Sequence, residues 1–434
     1  MNTTQLMRQE ARLINRMFQR NDVRAKVDPR QTVNVAVGYI SYGLQLPMNE
    51  RFAKVEGLQR ELSNLLTNHR QRSGIPGSIQ VIPVSTPRLA LEVPHPQPEP
   101  LLWSPRKTTT TAAHTMLIGR SFLNGPQDER IAFDDAPHTL ICGITGAGKS
   151  VLLQTMLLSL CAGTSPDELR LVLIDLKNED LVPFERLPHV ETFAGTRESA
   201  VSAIESVVRE KDRRIAQRGH KPHRLVLVID EMAQLAGMPE VKEALGDLAS
   251  IGRSKWINLI GATQHPTDKG GLGSMLKANF PVRLVGMVAP GQSHIATGRP
   301  ATHADLLPGK GAFLRCQGPD VYRFQSFYIE PADVAGMAKY IAKDIWQRQA
   351  EPREPVHKEK LSSLVCEPLE PPREPVHEPL LNRSAEDLEP PREPLFPLQD
   401  KRPLNDREAL LAWRMIDELS KSELCRQIYG AKSG

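Results

Sequence analysis

The run Gly143-Ile-Thr-Gly-Ala-Gly148-Lys149-Ser150 constrains this chain more than any other stretch, because it satisfies G-x-x-x-x-G-K-[ST] between a strand and a helix. Residues 138–142 are a short apolar run of strand length, and residues 151–162 are apolar with a helical pattern. Glycines in such a loop let backbone N–H groups turn inward and cradle phosphate oxygens. The start of the following helix adds partial positive charge at the same point. The spacing assigns nucleotide phosphates to Gly143, Ile144, Thr145, Gly146, Ala147, Gly148, Lys149, Ser150 and Val151. Lys149 is expected to reach the β- and γ-phosphates and the Ser150 hydroxyl to ligate Mg²⁺, which makes ATP and Mg²⁺ the expected cofactors.

A phosphate loop alone says only that a nucleotide binds. The run RLVLVIDE at 224–231 narrows the chemistry, because a continuous apolar strand there ends in Asp230 and Glu231. Asp230 suits the role of holding Mg²⁺ through its water shell, and Glu231 that of polarising the attacking water. An adjacent acid pair at this place points to hydrolysis and away from a kinase. Thr263 and Gln264 close the next strand, where an amide can touch both the γ-phosphate and the water. Arg253, in GRSKWIN just before that strand, is a candidate for reaching a neighbouring subunit's nucleotide. Arg283 is a second candidate, and either could instead be a structural ion pair.

The chain has 434 residues, enough for two or three domains. Its 55 Lys+Arg against 51 Asp+Glu leave a net charge of +4, so any nucleic-acid surface has to be local. There is no apolar run of membrane-spanning length and no signal-peptide pattern, so a cytoplasmic protein is expected. The five cysteines lack metal-ligand spacing. Residues 4–20 read as an amphipathic helix with Leu6, Leu13, Ile14, Met17 and Phe18 on one side. Its stripe of Arg8, Arg12, Arg16 and Arg20 is a solvated face or a face for DNA or an acidic partner. Residues 32–46 are strand-like, 55–68 helical, and 77–82 and 89–93 again strand-like. Together they make residues 1–95 a small α+β assembly domain. Residues 96–115 are a Pro/Thr-rich linker in which Trp103 is expected to dock on a neighbouring surface. Residues 116–348 alternate continuous apolar strands with helices, the α/β pattern of a parallel sheet covered on both faces. In residues 349–404 the string EPREPVH and its variants recur around Arg353, Arg373 and Arg392, with too little apolar content for a solenoid. That segment reads as a disordered Pro/Glu-rich spacer. Residues 405–434 form a helical tail carrying Leu410, Leu411, Trp413 and Ile416, either an incomplete helix-turn-helix or a helical hairpin for protein or DNA contact.

The stretches PHTLICGITGAGKSVLLQTMLLSL, DELRLVLIDLKNEDLVPFERLPH, RLVLVIDEMAQL, GRSKWINLIGATQHP and LKANFPVRL, with LPGKGAFL further on, resemble the FtsK/SpoIIIE family of double-stranded DNA translocases. That family lies within the HerA–FtsK group of RecA-like ATPases. Residues 1–95, with YGLQLP and SIQVIPVSTPRLALEVPHP, are similar to its smaller ring domain, so the resemblance covers residues 1–348. It implies a RecA-like P-loop NTPase motor that forms a homohexameric ring around duplex DNA and walks along it using ATP. Two loop positions depart from the pattern. His265 follows the Thr-Gln where the family commonly carries Arg, and Ser293-His294 stands where a Ser-Arg pair is common. Those loops look toward the DNA channel in relatives, so His265, Lys269, Lys277 and His294 are the expected DNA contacts. A histidine gives a weaker fixed phosphate contact near neutral pH than an arginine. No membrane segment precedes the motor, unlike cell-division relatives, which suggests a soluble member carried by a mobile element. Two other readings stay open: a viral-type packaging or conjugative DNA-transfer ATPase, and a non-motor nucleotide switch whose tail recruits partners.

Overall fold

Two β-sheets, one small and one large, carry the described part of the chain. The computed structural model describes residues 2–85, 88–104, 112–122, 125–217, 222–235, 237–264 and 279–347. The repeats of 349–404 and the tail of 405–434 lie outside the described residues. The small sheet is built from α1 (Thr3–Arg20), β1 (Lys26–Val27), β2 (Val33–Val35), β3 (Tyr39–Gln45), α2 (Phe52–Gly57), α3 (Gln59–Arg72), β4 (Ile82–Val84) and β5 (Ala90–Pro94). Its order is β1-β3-β5-β4, with β2 paired to β3 and all pairs antiparallel.

Local chemistry shapes this unit in ways the apolar pattern does not show. The stretch 32–46 is a hairpin, with Val33 opposite Ser41 and a turn closed by the Gly38 N–H on Val35 O at 3.0 Å. The helix expected over 55–68 starts earlier and breaks at Leu58 into α2 and α3. On α1, Leu6, Glu10, Ile14 and Phe18 are buried at four-residue spacing, while Arg8, Arg12, Arg16 and Arg20 stay exposed. Glu10 can be buried because Arg70 Nε donates to it at 2.6 Å and Tyr42 Oη at 2.5 Å. One ion pair thus ties α1, α3 and β3 together.

The large sheet uses β6 (Thr115–Ser121), β7 (Gln127–Ala132), β8 (His138–Cys142), β9 (Leu169–Ile174), β10 (Val190–Ala194), β11 (Arg224–Ile229), β12 (Ile257–Thr263), β13 (Val282–Val285), β14 (Ala312–Gln317) and β15 (Asp320–Ser326). Its helices are α4 (Lys149–Gly163), α5 (Arg197–Ala216), α6 (Pro239–Ile251), α7 (Ser293–Thr297) and α8 (Pro331–Tyr340). The order is β10-β9-β11-β12-β8-β13-β14-β15-β6-β7. From β10 to β13 every pair is parallel, and from β14 onward every pair is antiparallel. The expected parallel sheet is therefore one side of a mixed one, running from the β10 edge to β13. A tight turn at Gly318 joins β14 to β15, and so short a link can only reverse the chain.

Burial follows from the two covered faces. Leu225, Leu227 and Ile229 of β11 pack with Ile204 and Val207 of α5 and with Leu245 and Leu248 of α6. The alternate residues Val226 and Val228 are buried as well, which is why the strand reads as a continuous apolar run. Leu152, Leu153, Met156, Leu157 and Leu160 make α4 buried around its circumference. Each such side chain contributes about 1.5–3 kcal/mol by leaving water.

Residues Met1–Trp346 form one compact unit, and contacts join the two sheets inside it. Ile82 of β4 belongs to the core of the large sheet. Arg323 of β15 pairs with Glu92 of β5 and lies 4.0 Å over the Tyr39 ring. Trp103 is 1% exposed, and its backbone N–H donates to Tyr328 O at 2.8 Å. Among the described residues no helix is long and apolar enough to cross a membrane.

Candidate functional site

β8 runs directly into the phosphate loop and α4 leaves it. Gly146 and Gly148 sit at φ +84° and +95°, which L side chains rarely adopt, and a Cβ on Gly148 would lie 2.7 Å from the Gly311 nitrogen. The loop is braced on two sides. The Gly143 N–H donates to Thr263 O at 3.2 Å and that of Ile144 to Met287 O at 2.8 Å. From the LPGKGAFL segment, the N–H groups of Lys310 and Gly311 donate to Gly146 O at 3.0 Å and Ala147 O at 2.9 Å. The N–H groups of Thr145, Gly146 and Gly148 bond no backbone carbonyl among the described residues, which leaves them for phosphate oxygens.

β8, β9, β11 and β12 are parallel and in register, so their carboxyl ends fall together. Lys149 Nζ stands 3.8 Å from Asp230 Oδ1, and Lys177 Nζ 4.0 Å from Asp230 Oδ2. Asp230 is 1% exposed, and neither of its oxygens has a hydrogen-bond partner among the described residues. Burial pushes its carboxyl up to about 6, against the pull of Lys149 and with a push from Asp180. Two orphaned, buried carboxylate oxygens, one of them 3.8 Å from the phosphate-loop lysine, suit a hydrated Mg²⁺. Among the described residues no group of three or more His, Cys, Asp and Glu could hold a metal by itself. A Mg²⁺ that keeps its waters and binds nucleotide phosphates needs no such group.

Glu231 is fastened to the neighbouring strand. Its Oε1 and Oε2 accept the Gln264 N–H at 3.2 and 3.1 Å, and its Oε1 also accepts that of Ala233 at 3.4 Å. The Gln264 side chain accepts from Thr145 Oγ1 at 3.4 Å. Gln264 thus touches Glu231 through its backbone and the phosphate loop through its amide.

Asp180 is a participant the motif reading passed over. Ser150 Oγ donates to Asp180 Oδ2 at 2.5 Å. Asp180 is placed by a loop folded around Asp175, whose carboxylate accepts the N–H groups of Lys177, Glu179 and Leu181 at 2.9–3.1 Å. The acids of DLKNED after an apolar strand were a visible signal, but nothing in their spacing pointed to Ser150.

Other candidates lie elsewhere. Arg253 precedes β12, whose seven residues lead to Gln264, so at about 3.3 Å per residue it sits near the opposite end of the sheet. Its Nη2 donates to Asp134 O at 3.1 Å. Arg283 is half-buried within β13, and a Cβ on Gly298 would lie 2.7 Å from its Nη1. His294 is exposed on α7. β13 runs parallel to β8, so the chain leaves it at the phosphate-loop end of the sheet before reaching α7. His265, Lys269 and Lys277 fall outside the described residues.

Residues 105–218 match the model of the FtsK/SpoIIIE family. The chain is 29% identical over 343 residues to the DNA translocase FtsK of Chlorobaculum tepidum, covering 70% of this chain and 41% of that protein. It is 32% identical over 245 residues to the DNA translocase FtsK of Borreliella burgdorferi, covering 50% of this chain and 31% of that protein. It therefore spans less than half the length of these curated relatives. The structure of ATPases 2 and 3 of EssC from Geobacillus thermodenitrificans has a TM-score of 0.50 at 21% identity, covering 58% of this chain and 53% of that one. The fold is the α/β fold of the P-loop ATPases.

Proposed function

We propose that this chain, an FtsK/SpoIIIE-type P-loop ATPase by the match of residues 105–218, hydrolyses ATP to move double-stranded DNA. The observation that carries the reading is the position of Gln264, joined to Glu231 on one side and to Thr145 of the phosphate loop on the other. Loss of the γ-phosphate changes what Thr145 and Glu231 face, and Gln264 passes that change into residues 265–278, which carry His265, Lys269 and Lys277. With His294 these are the residues assigned to DNA phosphates. Such contacts give binding that weakens with salt and has little sequence preference.

Within the site, Lys149 and the free loop N–H groups hold phosphate oxygens, and Glu231 takes the proton of the attacking water. Ser150 and Asp230 would hold Mg²⁺, which neutralises charge between the phosphates. A homohexameric ring is the assembly this reading requires, with residues 1–95 as the assembly domain and 116–348 as the motor. The cytoplasm is where such a motor meets duplex DNA and ATP.

The test is ATP hydrolysis with and without linear duplex, in wild type and Lys149→Ala, with electron microscopy of the wild type on duplex in a non-hydrolysable analogue. Several-fold stimulation by duplex, absent from Lys149→Ala, and a ring threaded by DNA are the expected results. Hydrolysis that duplex leaves unchanged would leave only a nucleotide switch.

A further inference from the structure

The two sheets meet at a cavity of about 320 Å³ that the ATP chemistry does not use. Its charged lining residues are Arg88 and Glu92 from the small sheet's side and Arg299 and Arg323 from the large sheet's side. Three guanidinium groups thus face one carboxylate. Arg323 is the fixed member. Its side chain is 7% exposed, its Nη1 donates to Glu92, and its face is stacked on the Tyr39 ring at 4.0 Å. Its Nε and Nη2 are buried and have no hydrogen-bond partner among the described residues. Arg88 and Arg299 are half-buried and pair with no carboxylate among the described residues. Buried N–H donors on a charged group are costly to leave unpaired, and this group is locked in place by stacking and by Glu92.

We infer that this seam cavity binds a small phosphate-bearing anion. Guanidinium N–H groups match phosphate oxygens in charge and in fork geometry. A phosphate monoester carries about −1.5 to −2 charge near neutral pH, enough to offset the two positive charges left after Glu92. A monocarboxylate would leave one of them uncompensated. The volume falls in the range of small-molecule sites, roughly 300–1,000 Å³, and exceeds what a bare ion needs. Thr302, Pro300 and Val84 line the same space, which leaves room beside the arginines for an organic group attached to the phosphate. The anion joins Arg88, just before β5, to Arg299, just after α7, and so ties the small sheet to the motor.

The test uses the full chain carrying Lys149→Ala, which weakens the phosphate loop as a competing anion site. Inorganic phosphate and ribose 5-phosphate are titrated into it by calorimetry. Saturable binding of one equivalent is expected. Tighter binding of the ester assigns the site to a phosphate ester, and equal binding assigns it to the phosphate group alone. Arg88→Gln and Arg299→Gln should each weaken binding about tenfold, and Arg299→Lys by less. The same arginine variants with Lys149 intact should bind ATP as the wild type does, which shows that they are folded. Arg323 is left in place because it also holds Glu92. No saturable binding of either probe, or binding that neither Arg88→Gln nor Arg299→Gln changes, overturns the proposal.

Discussion

In the proposed mechanism Lys149 meets the phosphates and Glu231 the attacking water, so their losses should separate. Lys149→Ala removes a cation that meets the phosphates and should weaken ATP binding as well as hydrolysis. Glu231→Gln keeps size and the bond to the Gln264 N–H but cannot take a proton. It should bind ATP normally while turnover falls about 10²–10⁴-fold, read by equilibrium binding and steady-state hydrolysis. Normal turnover in Glu231→Gln would remove it as the base. Asp180 acts through Ser150. An acceptor on the hydroxyl proton leaves the Ser150 lone pairs facing a cation, as partners of metal ligands do. Asp180→Ala should therefore reduce Mg²⁺ affinity of the ATP-bound protein about 10–100-fold, with metal-free ATP binding retained. Equal weakening with and without Mg²⁺ would instead mark Asp180 as a structural prop. That Lys149 and Asp230 come together was legible from the sequence, because a glycine-rich loop and an acid-ended apolar strand are short local strings. Asp180 was not, because its link to Ser150 spans thirty residues and depends on how the loop after β9 folds.

Elements were legible in proportion to how evenly they are buried. β8, β9, β11 and β12 lie inside the sheet with both faces covered, and their sequences are plain apolar runs. β7 reads QDERIA and buries only Ile131, and β15 reads DVYRFQS, so neither announces a strand. The antiparallel side of the sheet is therefore only partly legible: the apolar run at 311–316 announces β14, while β7 and β15 stay hidden. Two buried histidines belong to the covered half. His138 opens β8, His189 accompanies β9 and β10, and burial pushes each down to about 4 from the usual 6.5. A group depressed in the folded state binds fewer protons folded than unfolded between those values. Stability is therefore full above pH 6.5 and lost as pH falls toward 4. At pH 5 each histidine costs about 2 kcal/mol relative to pH 7. His189→Gln should shrink the pH 7-to-5 loss of unfolding free energy by about that amount in urea titrations. An unchanged loss would mean His189 is not held neutral by the fold.

The whole molecule decides the role of Arg253. It stands before β12, while Lys149 lies past the end of β8, and the two strands run parallel. An arginine at that end of the sheet cannot serve its own subunit's nucleotide, so a catalytic role requires a neighbour. Its exposed bond to Asp134 O is weak enough to be exchanged for a phosphate. In this reading Arg253→Ala lowers hydrolysis on the order of 10³-fold while each subunit still binds ATP. Lys149→Ala subunits keep an intact Arg253, and Arg253→Ala subunits keep an intact phosphate loop. Mixing two inactive proteins should regenerate complete sites wherever the two intact halves meet, so activity should peak at intermediate ratios. The mixture is assayed without DNA, because hydrolysis at one interface then need not wait for the others. Wild-type rates from pure Arg253→Ala would take the arginine out of catalysis. Activity that recovers on mixing while ATP binding per subunit stays constant would place it across the boundary, because complementation of that form needs two chains at one nucleotide.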